Sequence, residues 1–184
     1  MSWVKNRVQG RECGECSVCC VELTIDTDEF KKKYGVPCEL LKQGGGCSIH
    51  KDASRPKICG DFLCGWRRLD NLPDAMRPDI SNVIVTSIDE TIAIHSVNDH
   101  TKTLTQDSLL DFIVWAIKQD MEICMVFDKP ITSDQLYQVP LNKYLRDFAM
   151  QEAIPYLEMK LTVLKLIGSG TKGVIDLSKI KKNN

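Results

Sequence analysis

Eight of the nine cysteines in this 184-residue chain fall between Cys13 and Cys64, and the ninth, Cys124, stands far along the sequence. No other feature restricts the fold as much. Thiols at this density either pair as disulfides or hold metal, and the redox compartment decides between the two. The stretch MSWVKNRVQGREC has no apolar core, so no secretory signal and a cytoplasmic location are expected. In a reducing compartment the cysteines are then metal ligands rather than a disulfide framework.

The first block is Cys13-Gly-Glu-Cys16-Ser-Val-Cys19-Cys20. Two residues between cysteines let both sulfurs turn to one ion while nearby backbone amides hydrogen-bond to them, as in structural zinc knuckles. The same spacing wraps iron–sulfur clusters. Here the fourth cysteine follows at once, which departs from the bacterial ferredoxin run. Adjacent side chains in an extended segment point opposite ways, so Cys19 and Cys20 do not readily serve one tetrahedral ion. Cys38, Cys47, Cys59 and Cys64 form the second block, at spacings that are not knuckles. A helix running through Cys59 and Cys64 would set them about 140° apart, so they share a site only if it ends or bends near Gly60 or Cys64. Eight thiolates exceed the needs of one four-ligand site. Two tetrahedral sites, or one cluster with extra structural thiols, both satisfy the arithmetic. Cys124, within Met-Glu-Ile-Cys-Met-Val-Phe, reads as a core residue.

The formal charge of −1 offers no electrostatic ground for a nucleic-acid partner. Thiolate ligation makes the chain more acidic. Eight thiolates add eight negative charges and two zinc ions return four positive ones, for a net charge of about −5. No run approaches the ~18–20 apolar residues of a membrane span, so no membrane partner is expected. Hydrophobic content of 43% in a chain of this length supports a core that does not depend on metal alone.

Val21, Leu23 and Ile25 alternate with polar residues and predict a short strand. Asp26, with Glu29 three residues on, predicts a helix N-terminus running to Tyr34. Gly44-Gly45-Gly46 is a turn before Cys47, without the preceding parallel strand of a phosphate loop. Pro56 to Arg68 predicts a helix presenting Cys59, Phe62, Leu63 and Trp66 on one face. Asn71 to Asp79 is proline-broken. Val83–Ile88 and Thr91–Val97 predict a hairpin about Asp89-Glu90. Leu109 to Ile117 has helical spacing, Glu122–Phe127 reads as a buried strand, and Leu141–Ile167 is amphipathic with a break at Pro155. The lysine-bearing tail from Gly168 reads as a solvated end. The expected fold class is α+β: a small antiparallel sheet with helices and an N-terminal cysteine-rich metal-binding cap. Residues 1–70 form the cysteine-rich module and 71–184 the remainder packed against it, as two units or as one domain.

The pattern Cys13-x2-Cys16-x2-Cys19-Cys20, then Cys38, Cys47 and Arg55-Pro56-x2-Cys59-x4-Cys64, resembles the CxxCxxCC-type, or YkgJ-like, cysteine cluster family, described as a zinc- or iron-chelating domain. GGGCSIHKDASRPKICGDFLCGW resembles its second half, and Arg77-Pro78-Asp79 resembles one branch of it. The likeness spans roughly residues 11–90. It departs where His50 replaces a tyrosine and where Gly60 replaces an arginine. The resemblance implies a metal site of Cys13, Cys16, Cys19, Cys20, Cys38, Cys47, Cys59 and Cys64, loaded with zinc, iron or an iron–sulfur cluster. Some relatives are flagellin lysine N-methylases, which implies a redox, methyl-transfer or protein-modification role as the alternative to plain metal binding.

His50 stands three residues after Cys47 and carries an imidazole suited to zinc, but eight thiols already suffice, so it reads as a loop histidine. His95 and His100 read as structural. Arg55 can offset thiolate charge or pair with Asp52 or Asp61. Phe62 and Trp66 are expected to exclude water from the metal. P-loop, HExxH and GxSxG signatures are absent, so no enzyme class follows. A thiol-exchange role for Cys13/Cys16 or Cys19-Cys20 ranks below metal binding, because a metal-bound thiolate is not free to exchange.

Overall fold

Between Val8 and Arg68 the chain carries only short elements. This is seen in the computed structural model, which describes residues 7–88, 90–127 and 137–170. The expected strand through Val21 is instead helix α1 (Val18–Glu22), with strand β1 only at Ile25–Asp26. None of the α1 residues is fully buried, so the alternation lacks the buried face that would enforce an extended chain. Five residues are too few to stand on helix propensity. The Cys38 amide donates to the Cys20 carbonyl at 3.0 Å and Lys32 Nζ to the Val21 carbonyl at 2.7 Å, and both anchor α1 from outside.

The helix expected from Asp26 is also replaced, by a tight turn into β2 (Lys31–Lys32), antiparallel to β1. Thr27 Oγ1 accepts the Phe30 amide at 3.0 Å, a local bond that competes with helix formation. Glu29, expected to cap that helix, instead accepts the Lys57 amide and caps α2 (Lys57–Asp61). The single helix expected from Pro56 to Arg68 breaks after Asp61 and restarts as α3 (Gly65–Arg68). Cys59 therefore lies on α2, Cys64 caps α3, and the one-face grouping with Phe62, Leu63 and Trp66 does not form.

A 3-10 turn (Asp74–Met76) and α4 (Pro78–Ser81) lead into β3 (Val83–Ile88). β3 pairs antiparallel with β4 (Thr91–Ser96), as the β-branched runs predict. Helices α5 (His100–Leu104) and α6 (Asp107–Lys118) carry the chain back, so that β5 (Ile123–Phe127) lies parallel to β4. β6 (Tyr137–Pro140) then pairs antiparallel with β5. The sheet, ordered β3-β4-β5-β6, is mixed, and this corrects the antiparallel expectation. A parallel pair needs a crossover, and α6 supplies it. α7 (Asn142–Ala149) and α8 (Tyr156–Gly170) flank the predicted break at Pro155. Residue 89 of the expected hairpin turn, residues 1–6 and the tail beyond 170 lie outside the described residues.

Side chains alternate across the sheet. Val83, Val85, Ile92, Ile94, Ile123 and Met125 join α6, α7 and α8 in the main core. Ala93, Cys124 and Val126 form a small buried cluster of their own. The fold is α+β. Cys124 is buried, as expected, and burial pushes its thiol up to about 12. Asn142 was not foreseen. Its Oδ1 accepts the Ile123 amide and its Nδ2 donates to the Met121 carbonyl, both at 2.8 Å, which pins α7 to the start of β5. No helix among the described residues is long and apolar enough to cross a membrane.

Candidate metal centre

All eight cysteines between Cys13 and Cys64 are half-buried with free thiols, whereas Cys124 is fully buried. Seven of them, Cys13, Cys16, Cys19, Cys20, Cys38, Cys59 and Cys64, line one cavity of about 870 Å³. Cys47 lies on the wall of an adjoining cavity of about 640 Å³, with His50 and the Gly44–Gly46 turn. The rest of the larger wall is mostly apolar, with Phe30, Phe62 and Trp66 from the cysteine segment and Ile84, Thr86 and His95 from the sheet.

Three close backbone approaches shape this region. Gly46 is buried, and a Cβ on it would sit 2.9 Å from the Gly14 carbonyl oxygen. Gly45, at φ +103°, lies against the Glu15 carbonyl. The glycine turn therefore docks on the Cys13–Cys16 turn and brings the Cys47 loop to the first block. Gly65 sits against β3, where a Cβ would meet Val85 at 2.7 Å. That contact seats Cys64 over the sheet.

Arg11 holds this architecture together and was not foreseen. Its guanidinium donates to the carbonyls of Trp66, Leu69 and Leu72 at 2.6, 2.8 and 2.7 Å. It also lies 5.1 Å from the Trp66 ring centroid, and Arg77 lies 5.7 Å from the same ring. Nothing in the one-dimensional sequence separates Arg11 from other arginines, because its partners are carbonyls more than 50 residues away.

The thiols sit among hydrogen-bond donors and cations. The Val18 and Asp79 amides lower the Cys16 thiol and the Arg67 amide lowers the Cys64 thiol. Arg67 is buried at 4% exposure, donates Nε to the Arg11 carbonyl at 3.2 Å, and places Nη1 3.2 Å from Cys13 Sγ. No carboxylate pairs with it among the described residues. Burial raises the pKa of Cys16, Cys59 and Cys64. The hydrogen bond between the neighbours Cys19 and Cys20 splits that pair. It pulls Cys20 down to about 7 and holds Cys19 well above the ordinary thiol range.

Arg55 bonds not to Asp52 or Asp61 but to the His50 carbonyl at 3.3 Å and to the Cys59 carbonyl. Asp52 instead accepts the Ser54 amide at 2.8 Å, and Asp61 pairs with Lys57 on the surface. Buried Lys32 spends its ammonium on the carbonyls of Val21, Lys33 and Val36. His50 Nε2 is buried without a hydrogen-bond partner, and desolvation followed by Arg55 and Arg67 lowers its pKa. His95 meets Thr86 Oγ1 at 2.9 Å on the cavity wall, and the His100 ring packs edge-on against Phe127.

Among the described residues no three His, Cys, Asp or Glu side chains already converge on a coordination-sized ring. The all-thiol donor set and the shared cavity suit a soft or borderline metal such as zinc or iron. The chain matches no protein-family model, no curated protein and no solved structure.

Proposed function

We propose that this protein binds zinc or iron through Cys13, Cys16, Cys19, Cys20, Cys38, Cys47, Cys59 and Cys64, in a cysteine-rich cap beside an α+β body. One observation carries this reading: seven of these thiols line a single cavity whose buried cation, Arg67, meets Cys13 Sγ rather than any carboxylate. A buried guanidinium without an anionic partner is strongly destabilising, and metal ligation, which makes Cys13 a thiolate, would supply that charge. Burial raises the Cys16 and Cys64 thiols, and the amides beside them act the other way, toward the thiolate form that binds metal.

The breadth of the cavity favours a second occupant class. A volume of about 870 Å³ is ample for an iron–sulfur cluster as well as for bare ions. Such a cluster would bring one-electron chemistry, and the chain's part would be to hold it and exclude water with Phe30, Phe62 and Trp66.

Anaerobic purification followed by a visible spectrum and assays of zinc, iron and acid-labile sulfide tests both. Stoichiometric zinc in a colourless protein supports the ion. Stoichiometric iron and sulfide in a brown protein support the cluster. A metal-free protein whose eight thiols titrate freely would sink the proposal.

A further inference from the structure

The eight thiols do not form one undivided group. Cys13 and Cys16 are joined by a hydrogen bond from the Cys16 amide to the Cys13 carbonyl at 2.9 Å. Arg67 links this turn to Cys64, since it donates its amide to the Cys64 carbonyl at 3.0 Å and its Nη1 to Cys13 Sγ at 3.2 Å. Cys64 accordingly lies within electrostatic reach of Cys13 and Cys16, and so does Cys19.

A separate set of bonds gathers the other four. The Cys38 amide donates to the Cys20 carbonyl at 3.0 Å. The Leu41 amide donates to the Cys38 carbonyl at 3.0 Å, and Leu41 forms a β-bridge with Cys47. Arg55 ties the His50 carbonyl, just past Cys47, to the Cys59 carbonyl. Cys59 lies within electrostatic reach of Cys20, Cys38 and Cys47.

The break between α2 and α3 explains the division, since it puts Cys59 on α2 and Cys64 at the start of α3. Cys19 and Cys20 leave α1 about 100° apart and their thiols hydrogen-bond to each other, so the two groups meet at this pair. Each group also has its own cation. Arg67 stands at the first, and Arg55 stands within electrostatic reach of Cys20 and Cys59 in the second. A four-thiolate zinc site carries a formal charge of about −2, which a nearby cation offsets.

We infer that the eight thiols form two four-thiolate metal sites that share helix α1: Cys13, Cys16, Cys19 and Cys64 in one, Cys20, Cys38, Cys47 and Cys59 in the other. This partition rests on the metal-binding reading and adds to it a stoichiometry and a ligand assignment. His50 belongs to neither set, since eight thiols already fill two four-ligand sites.

The test uses the full chain, stripped of metal under anaerobic reducing conditions and titrated with Co²⁺ as a coloured probe. The wild type should develop thiolate-to-cobalt absorption saturating at two ions per chain. Cys64→Ser and Cys38→Ser should each saturate at one, the double variant at none, and His50→Ala at two. A second measurement needs no variant. Substoichiometric Co²⁺ is added to the wild type, exposed thiols are alkylated, and chains with four protected thiols are mapped by mass spectrometry. Protection should fall on one set or the other. Saturation at one ion, loss of both ions in each single variant, or protected sets mixing Cys59 with Cys64 would overturn the partition. Absence of any thiolate-to-cobalt band would instead overturn metal binding itself.

Discussion

Replacing Arg11 by Met should destabilise the protein by about 3–5 kcal/mol, because one guanidinium bonds to three carbonyls, of which that of Leu69 also accepts the Leu72 amide at 3.2 Å. Trp66, Leu69 and Leu72 are exposed by 7%, 5% and 0%, so their carbonyls have poor access to water once the donor is gone. A hydrogen bond to a charged group contributes about 1.5–3 kcal/mol, and a buried acceptor left without a partner costs about 1–3 kcal/mol. Simple addition over three bonds overshoots, since the Leu69–Leu72 segment shifts and admits some water. The ion pair from Arg11 to Asp74 adds little, because the Asp74 side chain is 83% exposed and the separation is 3.6 Å. Met keeps much of the aliphatic packing, so the loss reports the hydrogen bonds and the Trp66 ring contact. For a chain of this size each kcal/mol lowers Tm by about 2–4 °C, which gives a fall of about 6–20 °C. The assay is denaturant and thermal unfolding of metal-free protein, followed by tryptophan fluorescence and circular dichroism. Asp74→Asn is the control and should move stability by no more than about 0.5 kcal/mol. A loss below about 1 kcal/mol in Arg11→Met, or an equal loss in Asp74→Asn, would refute the reasoning.

Other outcomes follow from single contacts. Gly65→Ala forces a methyl group into Val85 at 2.7 Å and should cost about 1–3 kcal/mol in unfolding experiments, with part regained in a Gly65→Ala/Val85→Ala double variant. Asn142→Ala strips partners from the Ile123 amide and the Met121 carbonyl. It should cost about 2–3 kcal/mol and speed hydrogen exchange at Ile123, and unchanged exchange there would refute the pinning role. The Cys124 thiol, raised to about 12, is almost wholly protonated at pH 8. Alkylation of native metal-free protein at that pH should therefore leave Cys124 unmodified until the chain is denatured. Because folding raises this pKa, the unfolded thiol ionises first, and the Cys124 contribution to stability declines as pH rises above about 9. Comparing wild type with Cys124→Ala between pH 8 and 10.5 isolates that slope, and parallel curves would contradict it.

The body of the fold was legible in the linear chain. The hairpin of β3 and β4, helix α6, strand β5 and the break at Pro155 all carry hydrophobic periodicity long enough to select one element type. The cysteine segment was not legible in the same way. Its elements are two to five residues long, too short for periodicity to speak, and partners distant in sequence decide them. Glu29 illustrates the point. Its spacing from Asp26 suits a local capping box, yet it caps a helix 28 residues away. Arg11, Arg67 and Lys32 act on backbone carbonyls and sulfur, groups that leave no trace in side-chain spacing.

By itself the sequence determined how many thiols there are, the knuckle spacing of the first three, and the isolation of Cys124 in an apolar strand. Those follow from covalent order and local pattern. Only the tertiary structure decided that Cys64 returns to Cys13 and Cys16 while Cys59 returns to Cys20 and Cys38. The physical cause is the helix break after Asp61, the seat of Gly65 on Val85 and the docking of Gly45 and Gly46 on the first turn. These are long-range backbone approaches, and no spacing between cysteines encodes them.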